Sequence, residues 1–109
     1  MITCIIEYDI DPFAREAFET YARGWGRAIP RCGAELVGYF APHEGSATRA
    51  FGIYHLESLA AYEAYRERLR EDADGRANFE FAKAERFIRR EDRAFYRLVS
   101  TPHAPLVPR

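Results

Sequence analysis

The residues with the strongest claim to chemistry fall in "GYFAPHEGSATRAFGIYHL", residues 38–56. Two of the three histidines, His43 and His55, occur there, one in a polar loop and one at the end of an aromatic-rich run. An imidazole has an unperturbed pKa of about 6.5, so it can move protons near neutral pH. His43 follows Pro42 and precedes Glu44 and Gly45, the ordinary setting of an exposed loop histidine. His55 is the better candidate. If Gly38 and Gly52 oppose each other across a hairpin, then Val37 faces Ile53, Tyr39 faces Phe51 and Glu35 faces His55 on one side. Glu35 would orient His55 and favour its charged form. Tyr39 is a second acid–base candidate on the same strand. Two opposed glycines would also leave a hollow where a ligand or another backbone could approach. The plainer alternatives are a strand-end ion pair of little energetic value and a bulge or tight packing at the glycines. His103 lies in the proline-rich tail. No third ligand type accompanies these histidines at a metal-like spacing, so neither a metal nor another cofactor is expected.

A second constellation is aromatic. Phe18, Tyr21, Trp25, Tyr62 and Tyr65 recur at helical spacing and could enclose a pocket between helices and sheet. Trp25, Tyr21, Tyr54 and Tyr65 are the candidates for lining it. Aromatic residues at that spacing are also what an ordinary core requires. The arginines of "RFIRREDR" alternate with Glu91 and Asp92, a charge ladder that is solvated or at an interface. Glycine-rich phosphate loops, nucleophile elbows and paired-acid motifs are absent from the sequence.

These residues need elements to hold them. "ITCIIEYDI" is rich in β-branched residues and apolar on both faces, with Ile2, Cys4, Ile6 and Tyr8 on one and Thr3 and Ile5 on the other. Asp11-Pro12 reads as an N-cap and first helical position. Apolar residues from Ala14 to Ile29 then repeat at helical spacing, so a helix is expected over about 12–32, with Gly33 as its stop. "AELVGYFA" and "RAFGIYHL" are strands joined by "PHEGSAT". Ser58 can cap a second helix with Leu59, Tyr62, Tyr65 or Arg66, and Leu69 on one face, broken at Asp74-Gly75. A third helical piece over about 76–86 carries Ala77, Phe81 and Ala84. Residues 87–99 end in β-favouring "AFYRLV" and are expected as a strand. The order is β-α-β-β-α-(α)-β, an α+β, ferredoxin-like subunit. One domain over 1–100 and an irregular tail over 101–109 are expected.

The chain has 109 residues, 48% of them hydrophobic, and a formal net charge of −1. That composition describes a globular domain with no global basic field to gather nucleic acid or anionic membrane. Cys4 and Cys32 match no metal or redox spacing and read as reduced thiols. No apolar run approaches the roughly 20 residues of a membrane span, and the N-terminus has no basic leader. A cytoplasmic protein is expected.

"MITCIIEYDIDPF", "GYFAPHEG", "LESLAAYEAYRERL" and "RFIRREDRAFYRLV" together resemble the small bacterial NIPSNAP proteins, over about residues 1–100. The resemblance implies membership of the dimeric α+β barrel superfamily, in which two ferredoxin-like subunits pack their sheets face to face. A partner sheet would cover the second apolar face of the first strand. The resemblance implies no particular reaction, and the wider superfamily spans cofactor-free monooxygenases, isomerases, cyclases and haem-handling enzymes. Three readings follow. The first is a homodimer that binds a small, mostly apolar molecule. The second is a cofactor-independent monooxygenase or isomerase that uses His55 or a tyrosine as its acid–base group. The third is a structural interaction module without catalysis. Whether the chain is an enzyme is left open by its residues.

Overall fold

The computed structural model describes residues 1–100. His103 and the tail lie outside the described residues. The elements run β1 (Ile2–Ile10), α1 (Arg15–Arg31), β2 (Glu35–Phe40), β3 (Arg49–Leu56), α2 (Leu59–Glu71), α3 (Ala73–Glu85) and β4 (Ile88–Arg97). Four antiparallel strands in the order β2-β3-β1-β4 form one sheet. This is the expected ferredoxin-like subunit.

Side chains alternate along β1, and the alternation decides what each face does. Cys4, Ile6, Tyr8 and Ile10 are buried on the face that meets the helices. Thr3, Ile5, Glu7 and Asp9 occupy the other face. The register of β1 places Ile53 and Ala94 either side of Ile5, and His55 and Tyr96 either side of Thr3. That face therefore has an apolar centre, and among the described residues no helix covers it.

The helix side carries the core, where Phe18, Trp25, Ala28 and Ile29 of α1 meet the even residues of β1. Several details differ from the sequence expectation. Asp11-Pro12 forms a turn ahead of the helix: the Asp11 carboxylate accepts from the Phe13 amide at 2.9 Å, and the helix starts only at Arg15. Gly33 does stop α1, at φ +103°, a left-handed conformation that glycine adopts without strain. The second helix breaks at Asp72, not at Asp74-Gly75. Ser58 caps its start through the Ala61 amide at 3.1 Å, and Leu59 points to solvent. The inward face of α3 is Gly75, Asn78, Phe81 and Ala82, while Ala77 and Ala84 are exposed.

Asp72 both ends α2 and caps α3. Its carboxylate accepts from the Gly75 amide at 3.0 Å and from Arg31 Nε at 2.7 Å, and Arg31 also reaches Asp74 at 2.7 Å. The Arg31 guanidinium holds the Asp72 carboxyl at about 2, below its ordinary 3.8. A folded-state pKa below the unfolded one contributes stability above the unfolded value, and that stability is lost as pH falls. Asp72→Asn keeps a capping oxygen and removes the charge. Its melting temperature should lie below the wild type's at pH 7, and the gap should close between pH 4 and pH 2. A gap that stays constant across that window would mean that the ion pair contributes nothing. Because Arg31 is half exposed, added salt should also narrow the gap.

Candidate functional site

A cavity of about 250 Å³ opens between the sheet and the helices. Its floor is the helix-facing side of the sheet: Ile6 and Tyr8 of β1, Tyr39 of β2, Tyr54 of β3, and Glu91 and Arg93 of β4. One wall is Tyr21, Trp25 and Ile29 of α1. The other is Tyr62, Tyr65, Arg66 and Leu69 of α2, with Phe79 of α3 beside Trp25. The four aromatic residues singled out from the sequence, Trp25, Tyr21, Tyr54 and Tyr65, are thus brought together. Ring-to-ring contacts hold them in place. Trp25 lies edge to face 5.7 Å from Tyr21 and 5.2 Å from Phe79, and Tyr54 lies 5.3 Å from Tyr65 in a tilted pair.

Tyr39 reaches the cavity because the hairpin register differs from the sequence expectation. Glu35 does oppose His55, but a bulge between Leu36 and Gly38 shifts every later pair. Gly38 opposes Ile53, Tyr39 opposes Gly52 and Phe40 opposes Phe51. Tyr39 therefore turns to the helix side, and Phe40 turns to the open face. The expected glycine hollow does not exist, because the Tyr39 ring lies over Gly52, where a Cβ would sit 2.6 Å from Tyr39 Cζ. The Tyr39 hydroxyl meets the Tyr8 hydroxyl at 3.0 Å.

His55 lies on the opposite face of the sheet, beside Ile53 and Thr3. It is buried, its Nδ1 is 2.8 Å from Thr3 Oγ1, and it is not among the residues lining the cavity. Glu35 is exposed and makes no hydrogen bond or ion pair with His55. The expected Glu35–His55 pair thus exists as a strand register without side-chain contact. His43 borders a shallow surface depression with Pro12 and Arg15.

Two cavity residues come from the stretch that the sequence presents as a solvated or interface ladder. On β4, Arg93 opposes Ile6 and Glu91 opposes Tyr8, so both face the helices, with Arg93 Nη2 2.8 Å from Glu91 Oε2. The signal for this is simple alternation, which puts residues 91, 93 and 95 on one strand face.

Burial sets the chemistry of the tyrosines. It pushes the hydroxyls of Tyr8, Tyr21, Tyr39, Tyr54 and Tyr65 above the usual phenol range. They stay neutral at physiological pH and serve as hydrogen-bonding groups, not as bases. Among the described residues, the Trp25 indole Nε1 is the one fully buried side-chain nitrogen or oxygen without a hydrogen-bond partner.

A four-stranded antiparallel sheet with helices on one face and an aromatic cavity beneath them defines an α+β protein with a ferredoxin-like fold, similar to that of the antibiotic biosynthesis monooxygenase-like proteins. The NIPSNAP family model matches residues 3–102, and the chain belongs to the NIPSNAP family. It is similar in structure to protein Atu4242 from Agrobacterium tumefaciens, with a TM-score of 0.76 and 21% identity over 98% of this chain and 100% of that one. It is also similar to the NIPSNAP family protein Atu5224 from the same organism, with a TM-score of 0.71 and 24% identity over 97% and 98% of the two chains. A putative antibiotic biosynthesis monooxygenase from Nitrosomonas europaea shares the fold at a TM-score of 0.70 and 14% identity, over 92% of this chain and 100% of that one. No curated protein matches the sequence. Among the described residues, no helix is long and apolar enough to cross a membrane.

Proposed function

We propose that this protein is a homodimer, joined through its open sheet face, in which each subunit binds one small, planar, mostly apolar molecule in the cavity between helices and sheet. The cavity itself carries the reading. An apolar protein cavity of about 150 Å³ suffices to hold benzene. The 250 Å³ here suits a molecule of one or two fused rings, and aromatic walls offer edge and face contacts to such a ring. The open sheet face supports the dimer, with Val37, Phe40 and Tyr96 about half exposed around the centre at Ile5 and Ile53. His55 and Glu35 then belong to the subunit interface. The two free thiols, Cys4 and Cys32, are both buried and would stay reduced in the cytoplasm, where this reading places the protein.

The monooxygenase or isomerase reading draws support from the Nitrosomonas relative's fold, but it has lost its proposed base. His55 is on the wrong face, and Tyr39 is held neutral by burial. Binding is therefore the function that the geometry supports best, ahead of both catalysis and a purely structural role.

Trp25 is the only tryptophan, so indole fluorescence reports on the cavity wall directly. Titration with 2-isopropylnaphthalene should change that emission saturably at one site per chain. A linear, unsaturable response up to the solubility limit would overturn the binding reading.

A further inference from the structure

Charge is unevenly matched in the cavity. Among the described residues, three charged side chains line it: Arg66, Glu91 and Arg93. Tyr54 and Tyr65 beside them stay neutral. Glu91 and Arg93 neutralise each other across 2.8 Å. Arg66 is left over. Its guanidinium carbon lies over the Tyr62 ring, 5.7 Å from the centroid, and it has no ion-pair partner among the described residues. Tyr62 in turn packs edge to face on Phe95, 4.7 Å between centroids, on the strand face that also carries Arg93. Arg66 borders a depression on the outside of α2 as well, with Glu63 and Glu67, and Glu67 is paired with Arg70. It therefore stands at the rim, within reach of both cavity and solvent.

From this we infer that the cavity takes an aromatic carboxylate, with its ring inside among the tyrosines and its carboxylate at the rim, paired with the Arg66 guanidinium. This names the ligand class of the binding reading and rests on it. A carboxylate that enters an apolar site needs a paired charge, and Arg66 supplies the one cation of the lining not already matched. Arginine presents two parallel N–H donors in a planar fork that fits a carboxylate. At the rim the anion keeps part of its hydration, so the desolvation cost that cancels many fully buried ion pairs is only partly incurred. The guanidinium already rests on the Tyr62 ring, which limits the freedom it loses on pairing. A cationic ligand fits less well, because the one acid of the lining is engaged by Arg93 and Arg66 would repel it.

Three probes share a ring system and differ in charge: 2-naphthoate, 2-acetonaphthone and 2-isopropylnaphthalene. Calorimetric titration of the wild type at pH 7 should show 2-naphthoate binding about tenfold more tightly than either neutral probe. Arg66→Gln removes the charge and keeps a polar side chain on the same helix face. It should shrink the preference for 2-naphthoate over 2-acetonaphthone to within about threefold. Salt gives a second measurement that needs no variant. Between about 50 mM and about 500 mM sodium chloride the wild-type preference should fall several-fold, because a charge pair at the rim is screened. Equal wild-type affinities for 2-naphthoate and 2-acetonaphthone, or tightest binding of the hydrocarbon, overturn the carboxylate inference and leave the binding reading intact. A preference that is undiminished in Arg66→Gln, or indifferent to salt, overturns it in the same way. If none of the three binds saturably, both readings fall together.

Discussion

Replacing Ile5 with aspartate should convert a dimer into a folded monomer. Ile5 sits at the centre of the open sheet face, flanked across the strands by Ile53 and Ala94. Adjacent Ile6 points the other way, into the core and the cavity floor, so only Ile5 tests the interface. A two-fold interface presents each substitution twice, so two carboxylates would be buried without partners. At several kcal/mol each, the dissociation constant should rise by about a thousandfold or more. The helix-side core is untouched by the change, and the variant should keep its circular dichroism spectrum. Light scattering at micromolar concentration should give twice 12.6 kDa for the wild type and 12.6 kDa for Ile5→Asp. A variant that remains dimeric, or a wild type that is monomeric, would place the interface elsewhere or remove it.

The second large effect is expected at Gly52. A Cβ there would lie 2.6 Å from Tyr39 Cζ and 2.9 Å from its hydroxyl oxygen. The ring cannot give way freely, because it packs 6.0 Å from Tyr8 and 6.2 Å from Phe18, centroid to centroid, and is tied to the Tyr8 hydroxyl. Overpacking of this kind costs about 1–3 kcal/mol, or a melting temperature lower by about 5–15 °C for a domain of this size. Gly52→Ala should also weaken binding of 2-isopropylnaphthalene, since the displaced ring has only the cavity to enter. In a Tyr39→Ala background, itself destabilised by loss of the ring, the further change Gly52→Ala should cost little, because the methyl then meets no ring. Additive losses in the double variant would show that the two residues do not conflict.

Much of the architecture is legible in the residues because local rules agree with the global ones. The apolar spacing from Ala14 to Ile29, the Ser58 cap, the Gly33 stop and the two-sided β1 each have one dominant physical reading, and each appears in the structure. The aromatic residues of α1 and α2 and Tyr54 of β3 do meet, because helical and strand periods fix which way they face. The register of β2 is not legible in the same way. "ELVGYF" alternates well in isolation, and nothing within it marks Val37 as an extra residue. Pairing is decided by the partner strand and by the space Gly52 leaves for the Tyr39 ring, which are properties of two segments at once. The break at Asp72 escapes local reading for a related reason. Glycine is the obvious helix breaker, but here Gly75 sits inside α3, and an aspartate that also meets Arg31 makes the corner.

The joint at Asp72 has a consequence for how a ring would get in. The α3 side is fastened to α1: Asn78 Nδ2 donates to the Tyr21 carbonyl at 2.8 Å, and Arg31 binds both Asp72 and Asp74. Helix α2 lacks such ties to α1 apart from the bond of Arg68 to the Cys32 carbonyl, and it leans on the sheet through aromatic contacts, Tyr62 on Phe95 and Tyr65 on Tyr54. Contacts of that sort slide and re-form at small cost, whereas hydrogen-bonded ion pairs do not. The cavity thus has a stiff jaw and a compliant one, turning on a corner whose geometry is pinned by one arginine. Breathing of the molecule on the timescale of local opening should be concentrated in α2, and the amides of residues 59–71 would surrender their protons to solvent before those of α1.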